Sequence, residues 1–272
     1  MKKTGYLVLI TLLTVGCIIG GMLYHSGGLQ GFWPDARVSG KTETIFQENG
    51  EVTAIALNSE VMDVKIRTGE KLEVAYGGNA NLKPEVSLGG GTLTITQRGK
   101  VKNSFNLFNI GKNTAKLEVT IPSDAKITKF TSQIDICDME IAGFSAEDAE
   151  IHGNVGDIDV NGAAFGSSVI TLNTGDLDVE KTALGSGTIS VNTGDIDVKQ
   201  SAFGDLNVTG DVGDIDVELT EDRQAYAIDL STDIGDVEVF GDDEGKSFSQ
   251  QGSGSSSPSL TVKNHIGDIK VK

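Results

Sequence analysis

Among the 272 residues of this chain, the side chains best placed by type and spacing to do chemistry are carboxylates set at fixed intervals. They belong to a pentapeptide, Gly-Asp-apolar-acidic-Val, found at 156–160, 175–179, 194–198 and 213–217, a step of 19 residues each time. Copies at 235–239 and, with Lys270 in the acidic place, at 267–271 come after steps of 22 and 32. One step upstream, 137–141 is a degenerate copy with Cys137 in the glycine place. A fixed period near 20 residues is the mark of a solenoid, in which each repeat becomes one rung. The first acidic positions, Asp157, Asp176, Asp195, Asp214, Asp236 and Asp268, then stack as one column, and Asp159, Asp178, Asp197, Asp216 and Glu238 as another. Carboxylates at rung spacing repel by about 1 kcal/mol per neighbour in bulk water, so something must make the columns tolerable. Solvation and salt screening would do so, helped if the first Asp accepts backbone N–H groups at the corner. Alternatively, the ladder Asp157, Asp159, Asp176, Asp178, Asp195, Asp197, Asp214, Asp216 holds divalent cations between rungs, calcium being the candidate. The Gly-Gly-x-Gly-x-Asp spacing of calcium-binding nonapeptide rolls is absent, so neither a dedicated metal set nor a cofactor is expected.

Other reactive residue types offer no constellation. His25, His152 and His265 are scattered without metal-ligand spacing. Cys17 and Cys137 lie in unrelated segments, so no disulfide framework is expected, and Cys137 fills a corner rather than acting as a nucleophile. Solenoid lyases and glycosidases set basic residues beside their carboxylates. From 127 to 240 there are 24 Asp plus Glu against 4 Lys plus Arg, a net of −20 within a total of −17. Such a surface repels phosphate backbones and anionic polymers, which argues against nucleic acid and for cations or basic partners. The expectation is a protein that is not an enzyme.

The elements that must position these carboxylates can be read from the pattern around them. In 188–198 the apolar positions are Ile189, Val191, Ile196 and Val198, with the phase changing at Asn192-Thr193-Gly194. This predicts two short strands joined by a corner, at which Gly and Asn accept the left-handed backbone and Asn amides stack between rungs. Gly156, Gly175, Gly194, Gly213, Gly235 and Gly267 are the predicted corner glycines. A third piece, 199–205, brings Phe203 round to the core beneath Phe165 and Leu184. Upstream, alternation at Met62, Val64, Ile66; Leu72, Val74, Tyr76; and Leu117, Val119, Ile121 predicts half-buried strands of about five residues. The fold class is therefore all-β: a single-domain, right-handed parallel β-solenoid of 19-residue rungs over 43–272. Its regular repeats span 132–240, giving six or seven rungs and a rod of roughly 30 Å. Residues 241–259, rich in Gly and Ser, read as a flexible loop before a terminal rung at 260–272, whose Lys270 and Lys272 would discourage edge pairing. The run 101–113, with Phe105, Leu107, Phe108 and Ile110, reads as a cap over the end or one face; an exposed knob is the alternative.

Residues 1–24 carry Lys2 and Lys3 ahead of an uncharged apolar run of about the twenty residues that cross a bilayer. With no further basic residue until Arg37, the positive-inside rule places the N-terminus in the cytoplasm and the rest outside. An uncleaved signal-anchor is expected, against a cleaved signal peptide or acylation at Cys17. Residues 25–42 form a linker, with Phe32-Trp33 at headgroup level.

The strand 117–123 ending in Pro122, the array of Gly-Asp units from Asp138 onward and the N-terminal anchor together resemble the bacterial putative-adhesin domain of unknown function, the β-solenoid of LiaG-like cell-envelope proteins. The resemblance covers 43–272. It implies an extracytoplasmic, non-catalytic domain at the cell membrane and transfers no site residues. The expected function is surface binding, adhesion or envelope scaffolding towards an envelope or extracellular protein. An accessory sensor of envelope stress binding a cationic ligand through the acidic face, or a calcium-stabilised surface repeat, are the alternatives.

Overall fold

The computed structural model describes residues 42–98, 115–136, 138–254 and 256–272. The expected anchor 1–24, nearly all of the linker, the run 101–113, both cysteines and His25 lie outside the described residues. Among those described, no helix is long and apolar enough to cross a membrane.

The described residues are all-β, with two single-turn 3-10 helices among them, Ala80–Leu82 and Arg223–Ala225. One regular rung consists of a long strand, a corner and a short strand. Ala164–Thr174 precedes Leu177–Glu180, and Ala183–Thr193 precedes Ile196–Lys199. Long strands stack in one sheet and short strands in the other, parallel and in register: Ile170 faces Ile189, Leu177 faces Ile196, and Asp178 faces Asp197. A single rung cannot bury its own apolar side chains; Ile170, Ile189, Leu177 and Ile196 become buried only because both sheets close over them along the stack.

The expected third piece is not a separate side. Phe203 lies within the long strand Ala202–Val212, at whose start the pairing register shifts. At the equivalent place in the preceding rung, Gly185 sits at φ 60 and the register shifts on either side of it. Phe165, Leu184 and Phe203, one repeat apart, point into the core there; Phe144, at the place of Ala163, joins them, edge-on to Phe130 at 5.2 Å and to Phe165 at 6.4 Å. Aromatic edges set against neighbouring faces suit the ring quadrupoles and fill one end of the sandwich.

Seven parallel rungs are described from Lys129 onward, and two more stack ahead of them, because alternating strands before residue 127 also join, making nine. The sheets hold 12 and 11 strands, and the strands beyond the nine rungs in each are antiparallel caps. At one end, Ala54–Val61 with Asp63–Gly69 forms a rung next to Lys129–Ile136 with Met139–Ala142. The next rung in the chain, Thr92–Gln97 with Lys116–Pro122, lies outside it. Leu72–Gly77 and Glu85–Gly89 run antiparallel against that outer rung, and Glu43–Glu48 pairs with Leu72–Gly77 in turn. At the buried join, Gln97 Oε1 accepts from Ser59 Oγ and from the Glu60 and Val61 amides, each at 3.0 Å. A side chain thus satisfies backbone donors where the Gly-Asp corner is missing.

The other end reverses this order and corrects two expectations. Ser259–Ile266 with Ile269–Val271 is not the terminal rung. It lies between Ala202–Val212 with Ile215–Val217 on one side and Ala227–Ile234 with Val237–Val239 on the other. Nor is 241–259 simply a loop leaving the stack: Asp242–Asp243 and Ser247–Gln250 pair antiparallel with the outermost rung and cover its edges. Lys270 and Lys272 therefore guard no edge. An edge strand exposes unpaired N–H and C=O groups, and both ends here hand that role to short, polar, antiparallel strands.

Candidate functional site

The carboxylate columns form at the first corner of each rung. The corner glycines Gly156, Gly175, Gly194, Gly213, Gly235 and Gly267 take φ between 131 and 144. Stacking is so close there that a Cβ on Gly194 would lie 1.9 Å from the Gly175 carbonyl oxygen. The next residue puts its side chain to structural use. The Asp176 amide donates to Asp157 Oδ1 at 2.9 Å, that of Asp195 to Asp176 Oδ1 at 2.9 Å, and that of Asp214 to Asp195 Oδ1 at 2.8 Å. The ladder continues in spatial rather than chain order, from Asp268 N to Asp214 Oδ1 at 2.8 Å and from Asp236 N to Asp268 Oδ1 at 2.9 Å. Asp138 starts it by accepting from the Asp157 amide at 3.2 Å. Every carboxylate but that of Asp236, which ends the ladder beside Lys246, thus offsets repulsion with a charge-assisted bond to a backbone N–H.

Two residues before the corner glycine runs an amide ladder. Asn173 Nδ2 donates to Asn154 Oδ1 at 2.8 Å and Asn192 Nδ2 to Asn173 Oδ1 at 3.0 Å. In the last three rungs the same positions are Asp211, His265 and Asp233, with His265 Nδ1 at 3.0 Å from Asp211 and Nε2 at 3.9 Å from Asp233. His152 bonds Thr171 and reaches Glu150 at 3.1 Å. Bonding to His152 holds the Glu150 carboxyl below its ordinary value. Both histidines are placed among carboxylates and a hydroxyl of neighbouring rungs.

The second column lies on the short strands and is treated differently. Bases arrive from outside the regular repeat: Lys65 at Glu140, Lys270 at Glu238 (2.8 Å) and Lys272 at Asp216 (3.1 Å), beside Lys199 at Asp197 (2.8 Å). Lys270 is in register between Asp216 and Glu238, which is what insertion of the late rung achieves electrostatically. Asp159 and Asp178 pair directly with none of these lysines, although the charge of Lys199 draws Asp178 down in part. Burial first, then neighbouring carboxylates, push both carboxyls above the ordinary Asp value. Asp63, at the corner of the first rung in the chain, is raised by burial and by Asp138. Among the described residues, no group of three or more His, Cys, Asp or Glu side chains is arranged to hold a metal ion.

A third column lies between the asparagine ladder and the corner glycines. The residue before each corner glycine, or its equivalent, pairs in register from rung to rung: Val61 with Ile136, Ile136 with Val155, Val155 with Thr174, and on through Thr193, Val212 and Ile266 to Ile234. All are β-branched, and several are exposed. Sequence reasoning missed this column, although the signal was present at the position one before each repeated glycine. Two shallow depressions, one at Phe203, Asp205 and Pro258, the other at Thr68, Pro122 and Phe144, lie away from these columns in sequence and carry no matching set of groups.

The family model of Toastrack DUF4097 matches residues 52–142 and 126–272, together nearly all of the stacked region. The chain belongs to the Toastrack DUF4097 family, a domain of unknown function. No curated protein matches the chain. Fourteen solved chains do. One is a putative adhesin from Bacteroides fragilis, 18% identical over 85% of this chain and 97% of its own, with a TM-score of 0.49. Another is a putative cell adhesion protein from Clostridium sporogenes, 17% identical over 86% and 99%, TM-score 0.38. A third is a putative lipid binding protein from Parabacteroides distasonis, 15% identical over 87% and 98%, TM-score 0.32.

Proposed function

We propose that this Toastrack protein is a non-catalytic binding protein of the cell envelope, which presents its acidic corner to basic partners. On this reading residues 1–24 hold it in the membrane with the N-terminus in the cytoplasm, and the stacked domain stands outside. The observation that carries the reading is the first carboxylate column. From Asp157 to Asp268 each Asp spends one oxygen on the next rung's amide, Asp236 ends the row, and all remain exposed along the corner. A fixed row of charges at rung spacing on a stiff scaffold costs little entropy to dock against, and its field steers cationic partners. What supports a non-catalytic role is that the asparagine and aspartate ladders and the two described histidines are engaged with neighbouring rungs, in a repeating pattern with no distinct centre.

The test uses the full-length chain in neutral-detergent micelles and fluorescent oligolysine as the probe. Binding should weaken steeply as salt rises, and the triple variant D214N/D268N/D236N should lose most of it. Asn keeps the Oδ1 acceptor while removing the charge, so the stack survives the change. Salt-independent binding, no binding, or a variant that binds like the wild type would sink the proposal. Added protease reaching the domain on intact cells tests the topology.

A further inference from the structure

Val212, Ile266 and Ile234 stand on three successive rungs, paired in register, and are 45%, 45% and 62% exposed. Single exposed apolar residues are ordinary on a protein surface. Three stacked at about 4.8 Å make a continuous strip, and exposed continuous strips mark contact sites. Carboxylates bracket it along the chain: Asp211 and Asp233 come one residue before it, and Asp214, Asp268 and Asp236 two residues after. The nearby basic groups are His265, Lys263 further back on the same strand, and Lys246. Lys246 comes in from the capping segment, donates to the Gly235 carbonyl and lies 3.9 Å from Asp236. The protein's own lysine thus shows how a basic side chain seats on this corner.

We propose that this end of the corner docks a cationic amphipathic helix of a partner polypeptide, its apolar face on Val212, Ile266 and Ile234 and its flanking lysines or arginines on the two rows of carboxylates. This rests on the reading of the protein as a binder of basic partners and names the partner's shape. Charge complementarity selects a cationic occupant, and spacing selects a helix. A helix returns a side chain to one face about every 5.4 Å, within ~0.6 Å of the rung spacing. An extended strand returns one about every 6.7 Å and falls out of step by ~2 Å per rung. Over three rungs only the helix keeps its apolar side chains on the strip. The arrangement is helix-on-groove recognition with a flat strip in place of the groove.

The test compares three probes on the full-length chain in neutral-detergent micelles: a lysine–leucine peptide with its leucines on one helical face, a scrambled peptide of the same composition, and oligolysine of equal charge. The variant is V212T/I266T/I234T, chosen because Thr174 and Thr193 occupy the same column natively. The amphipathic peptide should bind wild type about tenfold tighter than the scramble and lose about tenfold in the variant, while oligolysine binding stays unchanged. Equal affinity for the two peptides, or an unaffected variant, overturns the helix strip while leaving the acidic reading intact. Failure of oligolysine to bind any form defeats the acidic reading itself. A concentration-dependent dimer of the wild type that the variant lacks reassigns the strip to a second copy and also overturns the proposal.

Discussion

At the first corner of each regular rung, glycine bends the chain and an aspartate bonds across to the next amide, out in solvent. At the second corner the bend residue is Gly143, Gly162, Lys181 or Gln200, at φ 62, 63, 51 and 49, and in the later rungs the residue after it carries a buried hydroxyl. Thr182 Oγ1 donates to the Glu180 carbonyl at 2.9 Å and accepts from the Ala163 amide at 3.3 Å. Ser201 Oγ donates to the Lys199 carbonyl at 2.9 Å and accepts from the Thr182 amide at 3.1 Å. Both corners need left-handed backbone and both link rungs through a side-chain oxygen. They differ in clearance. Beside Gly162 the nearest atom to an added Cβ is Gly143 N at 3.9 Å, against 1.9 Å at Gly194. Strain alone can be absorbed by a lysine or a glutamine; strain joined to a backbone clash admits only glycine.

The largest test of this comparison is Gly194→Ala. It should cost ~3 kcal/mol or more of unfolding free energy in urea, combining positive-φ strain with a forced separation of rungs. Gly162→Lys, copying Lys181, should cost no more than about 1 kcal/mol. Next comes Thr182→Val, which keeps the volume but orphans the Ala163 amide in a buried place and should cost roughly 1–3 kcal/mol. Asp195→Asn at the exposed corner keeps the acceptor and removes two like-charge neighbours, so its effect should lie within about 0.5 kcal/mol of zero.

A smaller effect follows from pH. A carboxyl raised in the folded state binds its proton more tightly there than in the unfolded chain. Its contribution is fully present below the ordinary Asp value of 3.8 and is lost as pH rises through the raised value. Asp159 and Asp178 behave this way. Glu73 and Glu180, held low by hydrogen bonds from Lys71 and Lys181, contribute above 4.5 and lose it as pH falls. The double variant D159N/D178N isolates the first effect. It should be the more stable form at pH 7, with the advantage shrinking as pH falls towards 4; an advantage that grows on acidification would contradict the assignment. The smallest effect concerns calcium. With Oδ1 of the first column engaged at the corner amides, millimolar calcium should raise the melting temperature no more than magnesium at equal ionic strength. A calcium-specific rise would restore the cation-ladder reading.

The repeat, the inward Ile and Val and the corner glycines could be read from the chain because period and steric need coincide at the first corner. The second corner could not, since Lys181 and Gln200 carry no left-handed signature and glycine appears there only at Gly143 and Gly162. The early rungs were hidden for a related reason: Val61-Met62-Asp63 replaces Gly-Asp with a buried methionine, and Gln97, distant in sequence, supplies the missing acceptor. The order of rungs at the far end was out of reach altogether. Spacings of 22 and 32 residues say that chain intervenes, not that the later copy slides between two earlier ones. At the corner, acidic character was legible but the β-branched strip beside it was not, because Thr174 and Thr193 interrupt its apolar character in the most regular rungs.

Placement of 259–271 inside the stack means that synthesis and assembly run in different orders. When residues 227–239 have been made, the surface they will neighbour does not yet exist, and they cannot join the growing stack without leaving a slot one strand wide in each sheet. The late segment closes that slot by pairing along both of its edges, so it alone joins the outermost rung to the rest. A protein built this way cannot be lengthened by appending a copy of its repeat, and shortening it by one rung at the C-terminal side would free two rungs instead of one.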